Sequence, residues 1–297
     1  MKQPTLSVII VNWNVCDLLR DCLRSVLWGR ESEVRSQEAN RSALIPALEL
    51  RAPEVLVVDN ASIDGSAEMV AREFPTVRLI RNAENLGYAR ANNLGIAAST
   101  GRYVLLLNSD TVVPPAALAE LVAFMDAHPE AGACSPQLLG ADGRPQPYAF
   151  GCDPMPDYLM RRGLYRLLLR RPLHDWGAAE VQAVDWVSGA CLLTRRAVID
   201  QVGALDEQFF MYFEDNDWCL RMRAAGWKVY YNPNVCITHI GGQGLIQNPA
   251  ARRAYYRSLE YFYAKHYGPL ARGLLKLFLP VYWFFFSPNR RQPEPTR

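Results

Sequence analysis

From Leu6 to Pro115, continuous apolar runs of strand length alternate with segments of helical period. Leu6–Val11 has no polar alternation, so it reads as a strand buried on both faces. A helical pattern follows through Leu18, Leu19, Cys22, Leu23, Val26 and Leu27. Glu54–Val58 reads as a second buried strand ending at Asp59, and Asp64-Gly65 opens a helix to about Phe74. Val77–Ile80 is a short third strand and Arg90–Ala98 a small-residue helix. Tyr103–Leu107 is a fourth strand that ends at Asn108-Ser109-Asp110, after which Pro114-Pro115 start a helix with proline in its first turn. This alternation predicts an α/β fold with a mostly parallel central sheet flanked by helices. Such sheets bind ligands beyond the carboxyl ends of their strands, where Asn12, Asp59 and Asp110 all fall. Each of these alone is equally an ordinary loop residue.

The pattern is interrupted at 29–53, a charged and polar stretch read as a surface insertion with a short helix near Ala43–Leu50. Past Gly140 the regularity fades. Asp142-Gly143 is a turn signal, Met160–Arg171 a basic, leucine-rich helix, and Val184–Thr194 an apolar stretch broken at Ser188-Gly189. The expected organisation is a domain over 1–245, with halves 1–113 and 114–245, followed by a helical tail over 246–297.

Composition narrows the class. A chain of 297 residues, half of them hydrophobic, holds one large α/β domain with an appendage. A net charge of +2 argues against broad nucleic-acid binding. The seven cysteines are odd in number, contain no CxxC and mostly lie in apolar runs, as expected of reduced core thiols in a cytosolic protein. The start MKQPTLSVIIVNWN does not read as a secretory signal. The longest apolar run, Leu277–Phe286, contains Pro280 and is below membrane-spanning length.

The densest chemistry lies in FFMYFEDNDWCLR. Glu214, Asp215 and Asp217 stand among Phe209, Phe210, Tyr212, Phe213 and Trp218. Desolvation disfavours a carboxylate in such surroundings, so the segment is either an electrostatically loaded helix start or the seat of a base. In VVDNAS, Asp59 suits a ribose hydroxyl or a base edge, while Ser62 or Asp64 would cap the following helix. RNAENLGYARANN offers Arg81, Asn85, Gly87 and Asn92 ahead of and within a helix whose free N–H groups could face an anion. Asp110 could hold a divalent cation against a diphosphate, given a second ligand. His239, which ends an apolar run before Gly241-Gly242, is the candidate, although an isolated histidine is more often structural.

Taken in order, SVIIVNWN, VVDNAS, NAENLGYARANN, LLLNSDT, the Asp142-Gly143 turn, WVSGACLLTRR, FFMYFEDNDWCLR and the later histidine resemble glycosyltransferase family 2, the inverting transferases of GT-A fold. The resemblance covers roughly residues 5–245 and looks most like the rhamnosyltransferase branch, which uses dTDP-rhamnose or related donors. It implies transfer from a nucleotide-diphosphate sugar to a glycan or polyprenyl-linked acceptor in cell-surface polysaccharide synthesis. Asp215 becomes the catalytic base, with Glu214 and Asp217 supporting it. Donor binding falls to Asn12, Asp59, Arg81, Asn85, Gly87, Asn92, Asn108 and Ser109. Asp110 and His239 become the ligands of a divalent cation, Mg²⁺ or Mn²⁺. Asn108 stands where the metal motif has its first acid, which leaves one charged ligand in place of two. Trp186, Gly189, Tyr212 and Asp217 fall on the acceptor side, where Trp186, Phe210, Tyr212 and Trp218 could stack on sugar faces or simply pack the core. The 29–53 segment has no counterpart in the resemblance.

The alternatives are a UDP- or GDP-sugar donor and a non-catalytic glycan- or partner-binding protein of the same fold. A nucleotidyltransferase would need a glycine-rich loop where NWNVCDLL stands, and no GxGxxG follows a strand to hold a dinucleotide. In the tail, basic residues lie among Tyr255, Tyr256, Tyr261, Phe262, Tyr263 and Tyr267, followed by LLKLFLPVYWFFF. This composition suits either a helix packed on the domain or an amphipathic segment on an anionic membrane. A polyprenyl-linked acceptor favours the second, with the protein peripheral on the inner face of the cell membrane.

Overall fold

The computed structural model describes residues 4–39, 52–155, 174–241 and 249–286, with scattered positions between 158 and 169. Strand β1 (Leu6–Asn12) is followed by α1 (Cys16–Ala39), β2 (Glu54–Asp59), α2 (Ser66–Glu73), β3 (Arg78–Arg81), α3 (Tyr88–Ala98) and β4 (Tyr103–Asn108). β1, β2, β3 and β4 are parallel, in the spatial order β3-β2-β1-β4. Val8, Ile9 and Ile10 of β1 have no exposed surface, as a strand covered on both faces requires. α3 lies close on β1 because residue 95 is glycine: a Cβ there would stand 2.4 Å from Ile9 Cγ2.

The chain then adds β5 (Thr111–Val112), α4 (Ala117–Ala127), β6 (Ala131–Leu139), β7 (Phe150–Gly151), β8 (Gln182–Val184), β9 (Trp186–Val187) and β10 (Cys191–Arg195). It continues through α5 (Arg196–Val202), α6 (Glu214–Ala224), β11 (Lys228–His239), α7 (Pro249–His266) and α8 (Gly268–Phe286). β10 inserts antiparallel between β4 and β6, and β11 runs parallel to β6. Since β6 and β11 share the direction of β1, β2 and β4, their carboxyl ends reach the same sheet edge. The reversed β10 brings its preceding turn, Ser188–Ala190, to that edge, where Asn108 N donates to Ala190 O at 2.9 Å. β5 then pairs back along β11 and sets Thr111 opposite His239.

Several boundaries differ from expectation. α1 continues to Ala39, so the expected insertion starts as helix, while the helix near Ala43–Leu50 lies outside the described residues. Most of the basic helix at Met160–Arg171, and Gly242, also lie outside them. α4 begins at Ala117, because Pro115 disfavours helical geometry at Pro114. Pro114 and Pro115 instead form a turn whose Pro115 O accepts from Ala117 N at 2.8 Å. All seven cysteines are free; Cys22, Cys134, Cys191 and Cys219 are buried, whereas Cys152 is exposed.

The tail packs on the domain through α7. Phe262 and Tyr263 bury against Phe209 and Phe213, immediately before α6, and full burial of such side chains contributes about 1.5–3 kcal/mol each. α8 places Ala271 and Leu275 against this cluster and leaves Leu270, Leu274 and Leu277 at 79%, 42% and 67% exposure. No helix among the described residues is long and apolar enough to cross a membrane.

Candidate active site

The first element of the site is a polar cluster at the ends of β1 and β2. Asn12 and Asp59 are register partners, and Asn12 Nδ2 donates to Asp59 Oδ1 at 3.1 Å and to Ser62 Oγ at 3.1 Å. Ser62 N closes the turn onto Asp59 Oδ2 at 3.1 Å, while Asn12 Oδ1 is buried with no hydrogen-bond partner. The N-cap of α2 is Gly65, and Asp64 just before it bridges two helix starts: its Oδ1 accepts from Ser66 N at 3.1 Å and its Oδ2 from Cys16 N at 2.8 Å. Asn60 pins the next loop: its Nδ2 donates to Asn85 Oδ1 at 2.9 Å and its Oδ1 accepts from Leu86 N at 3.0 Å. Asn85 therefore shapes the approach to Gly87, whose φ of 80° suits glycine and whose missing Cβ would lie 2.5 Å from Phe210 O. Asn92 folds back on its own helix, donating to Tyr88 O at 3.0 Å. Arg81 stands apart from this cluster, with its guanidinium paired to exposed Glu68 at 2.6 Å.

The second element lies past β4. Asp110 Oδ1 and His239 Nε2 are 3.2 Å apart, and Asn108 Nδ2 is 3.2 Å from the same nitrogen. Ser109 between them is buried. Residue 241 must be glycine, since a Cβ there would stand 2.2 Å from Asp110 Oδ2 and 3.0 Å from His239 Nε2. Two ligand atoms roughly 3 Å apart span one edge of an octahedron with bonds of about 2.1 Å, so the donor pair fits a Mg²⁺- or Mn²⁺-sized ion. Among the described residues no third His, Cys, Asp or Glu joins them, so an ion here would draw its other ligands from elsewhere. The far side of the imidazole meets Gln146, whose Oε1 is 2.6 Å from His239 Nδ1. Nothing in the sequence marks Gln146 beyond its place just after the Asp142-Gly143 turn.

The third element is the start of α6. Tyr212 and Phe213 have φ of 70° and 68°, positions that cost bulky residues about 1–3 kcal/mol each. This turn delivers Glu214 and Asp215 at the head of the helix. Asp215 Oδ2 accepts from Gly189 N at 3.0 Å and Oδ1 from Asn216 N at 2.8 Å. Burial pushes the Asp215 carboxyl up, against the lowering pull of these amides. Burial, then the charges of Asp215 and Asp217, push Glu214 well above the usual carboxylate range, and Glu214 Oε2 has no hydrogen-bond partner. Tyr88, another residue the sequence reading did not single out, donates its hydroxyl to Gly189 O at 2.7 Å. It thus ties the helix after the Gly87 loop to the turn that holds Asp215.

The acceptor-side expectations divide. Trp186 is half-buried over Gly151 and donates Nε1 to Cys152 O at 2.8 Å. With its amide nitrogen toward Asp215 Oδ1 at 3.1 Å, Asn216 also accepts from Trp186 Nε1 at 3.2 Å and so links the indole to the carboxylate. Tyr212 is half-buried with its ring 5.7 Å from that of Tyr255, while Trp218 is wholly buried and belongs to the core. Asp217 is placed elsewhere than expected. It has no exposed surface, and Arg221 Nε, Lys265 Nζ and His266 Nε2 surround it at 2.8, 2.6 and 2.7 Å. Burial alone would raise its pKa, but the bonds from His266, Lys265 and Arg221 prevail and hold it at about 2. Asp217 therefore fastens α7 to α6.

The model for "Glycosyl transferase family 2" matches residues 7–146, and that for "Glycosyl transferase family group 2" matches residues 103–256. An N-acetylglucosaminyl-diphospho-decaprenol L-rhamnosyltransferase of Mycobacterium tuberculosis is 33% identical over 233 residues, covering 72% of this chain and 75% of that protein. Among solved structures, S. aureus TarS superposes with a TM-score of 0.53 at 17% identity, over 96% of this chain and 44% of its own. The mannosyltransferase PcManGT from Pyrobaculum calidifontis, in complex with GDP-Man and Mn²⁺, gives a TM-score of 0.51 at 18% identity, over 98% of this chain and 83% of its own. The likeness to these two structures carries the GT-A fold.

Proposed function

The chain belongs to glycosyltransferase family 2, and from that premise we propose that it transfers a rhamnose-type sugar, with inversion, from a dTDP-sugar to a hydroxyl of a polyprenyl-diphosphate-linked glycan. The observation that carries this reading is the convergence of three groups on one sheet edge: Asn12 with Asp59, Asp110 with His239, and Asp215 on the Gly189 turn. The relative from M. tuberculosis, by its name a rhamnosyltransferase acting on a diphospho-decaprenol substrate, supports the choice of sugar and acceptor.

In this proposal Asn12 and Asp59 hold the nucleoside, with the buried Asn12 Oδ1 as a free acceptor for a base N–H. The Asn85–Gly87 loop, Asn108 and Ser109 line the donor side. Asp215 takes the proton from the acceptor hydroxyl as that oxygen bonds to the anomeric carbon. The bond to the nucleoside diphosphate breaks on the opposite face, and its electron pair stays with the phosphate oxygen. Asp110 and His239 would hold a divalent cation, Mg²⁺ or Mn²⁺, which when bound offsets charge growing on the leaving diphosphate. Trp186 and Tyr212 supply apolar faces for the acceptor sugar. The exposed leucines of α8 rest on the inner leaflet that carries a polyprenyl acceptor.

A thermal-shift screen against dTDP-, UDP- and GDP-sugars with Mn²⁺ tests the donor, since a ligand of the native state raises its apparent stability. Stabilisation by dTDP-rhamnose above the other sugars is expected. Stabilisation by a UDP- or GDP-sugar alone would replace the donor, and no response to any nucleotide would remove the transfer reading.

A further inference from the structure

We propose that Gln146 is a positioning residue that locks His239 in the Nδ1–H tautomer, so that Nε2 presents its lone pair toward Asp110. The inference rests on the cation site described above and assigns a role to a residue outside it. Gln146 Nε2 lies 3.4 Å from His239 O and 3.2 Å from Gly241 O. Both partners are carbonyl oxygens, which only accept, so the NH₂ end of the amide must face them. Oε1 is thereby turned to His239 Nδ1 at 2.6 Å. An amide oxygen cannot donate, so the proton between them belongs to Nδ1. In a neutral imidazole the other nitrogen then carries the lone pair.

The opposite side of the ring agrees. Asn108 Nδ2, as its amide is placed, stands 3.2 Å from His239 Nε2 and donates to that lone pair until a cation takes its place. Asp110 Oδ1, itself an acceptor, faces the same nitrogen at 3.2 Å. Two acceptors aimed at one point are stabilised by a cation between them. Gln146 is itself held on β6, where its own N donates to Leu138 O at 2.8 Å, so its side-chain bonds tie the β11 end to that strand. The same side chain thus sets the ring's tautomer, its tilt and the path of the backbone through Gly241. Partners of this kind change metal affinity by about 10–100-fold when removed.

The test uses full-length, histidine-¹⁵N-labelled protein without metal, at a mildly alkaline pH. Long-range ¹H–¹⁵N correlation reads the His239 tautomer directly. The expected result is Nδ1–H in the wild type, a shift toward Nε2–H in Gln146→Leu, and retention of Nδ1–H in Gln146→Glu, which keeps an accepting oxygen. Electron paramagnetic resonance titration of Mn²⁺ in the presence of dTDP should show about 10–100-fold weaker binding in Gln146→Leu and substantial recovery in Gln146→Glu. An Nε2–H wild type, or a tautomer and Mn²⁺ affinity unmoved by Gln146→Leu, would overturn the inference. A wild type that binds no Mn²⁺ while its tautomer follows residue 146 would defeat the cation reading and uphold the role of Gln146. Matching thermal melts of the variants separate these effects from misfolding.

Discussion

The backbone amide of Gly189 is bonded to Asp215 Oδ2 at 3.0 Å. It thereby joins the turn before the reversed strand to the head of the helix that carries the proposed base. The bond orients the carboxylate and restrains its pKa, while burial raises it. Asp215→Asn keeps the shape and one accepting oxygen for the Gly189 amide, gives up the bond from Asn216 N, and cannot take a proton. Transfer should fall about 10²–10⁴-fold while the melting temperature and nucleotide binding stay near wild type. Near-full turnover in a product assay would remove Asp215 from the base role.

Glu214 titrates in the opposite sense to an ordinary ion-paired carboxylate. Its folded-state pKa is raised, first by burial and then by Asp215 and Asp217, so the folded protein binds its proton more tightly than the unfolded chain. That contribution to stability is complete below the unfolded carboxylate value of about 4.3 and is lost as pH rises through the folded value. Glu214→Gln should therefore melt higher than wild type at pH about 8, with the gap closing toward pH about 4. A constant gap across that range in calorimetric scans would contradict the assignment.

Asp217 shows the usual sign. Its carboxyl is held at about 2, so its stabilisation is present above the unfolded value and is lost as pH falls through that folded value. Asp217→Asn leaves Arg221, Lys265 and His266 without their shared anion. Arg221 and Lys265 are partly exposed and Lys265 keeps Asp206, so the lost bonds cost about 1–3 kcal/mol. Urea unfolding at neutral pH should show this loss, and limited proteolysis should cut α7 faster than in wild type.

Gly241 leaves no room for a side chain beside the Asp110 carboxylate. Gly241→Ala places a methyl 2.2 Å from Asp110 Oδ2, and Asp110→Ala removes the oxygen altogether. Both should lower Mn²⁺-dependent dTDP binding at least about tenfold in calorimetry, with little change in melting. Unchanged binding in both would count against a cation at this position.

α8 turns Leu270, Leu274 and Leu277 outward on one side while Ala271 and Leu275 pack inward. Flotation of the full chain with anionic liposomes should succeed, and changing the three leucines to glutamine should abolish it. Equal flotation of the two proteins, or none by either, would leave these leucines with no part in membrane attachment.

Strand identity and the sheet edge were legible in the sequence because they depend on local pattern. A β-branched run of strand length such as Val8–Val11 reads as a strand covered on both faces, and the polar residue that ends it falls at the rim. Asn12, Asp59, Asn108 and Asp110 were located on that ground, and Glu214-Asp215 by acids set among aromatics. What decided the rest was pairing between distant segments. Gln146 looks like any loop glutamine until β11 brings His239 against it, and Tyr88 like any helical tyrosine until the reversed β10 brings Gly189 to its hydroxyl. Asp217 reads as one more acid of the site, yet α7 returns with Lys265 and His266 and makes it an anchor. A hydrophobic pattern records which faces are buried. It does not record which partner a polar side chain meets there, and that partner sets tautomer, charge and role.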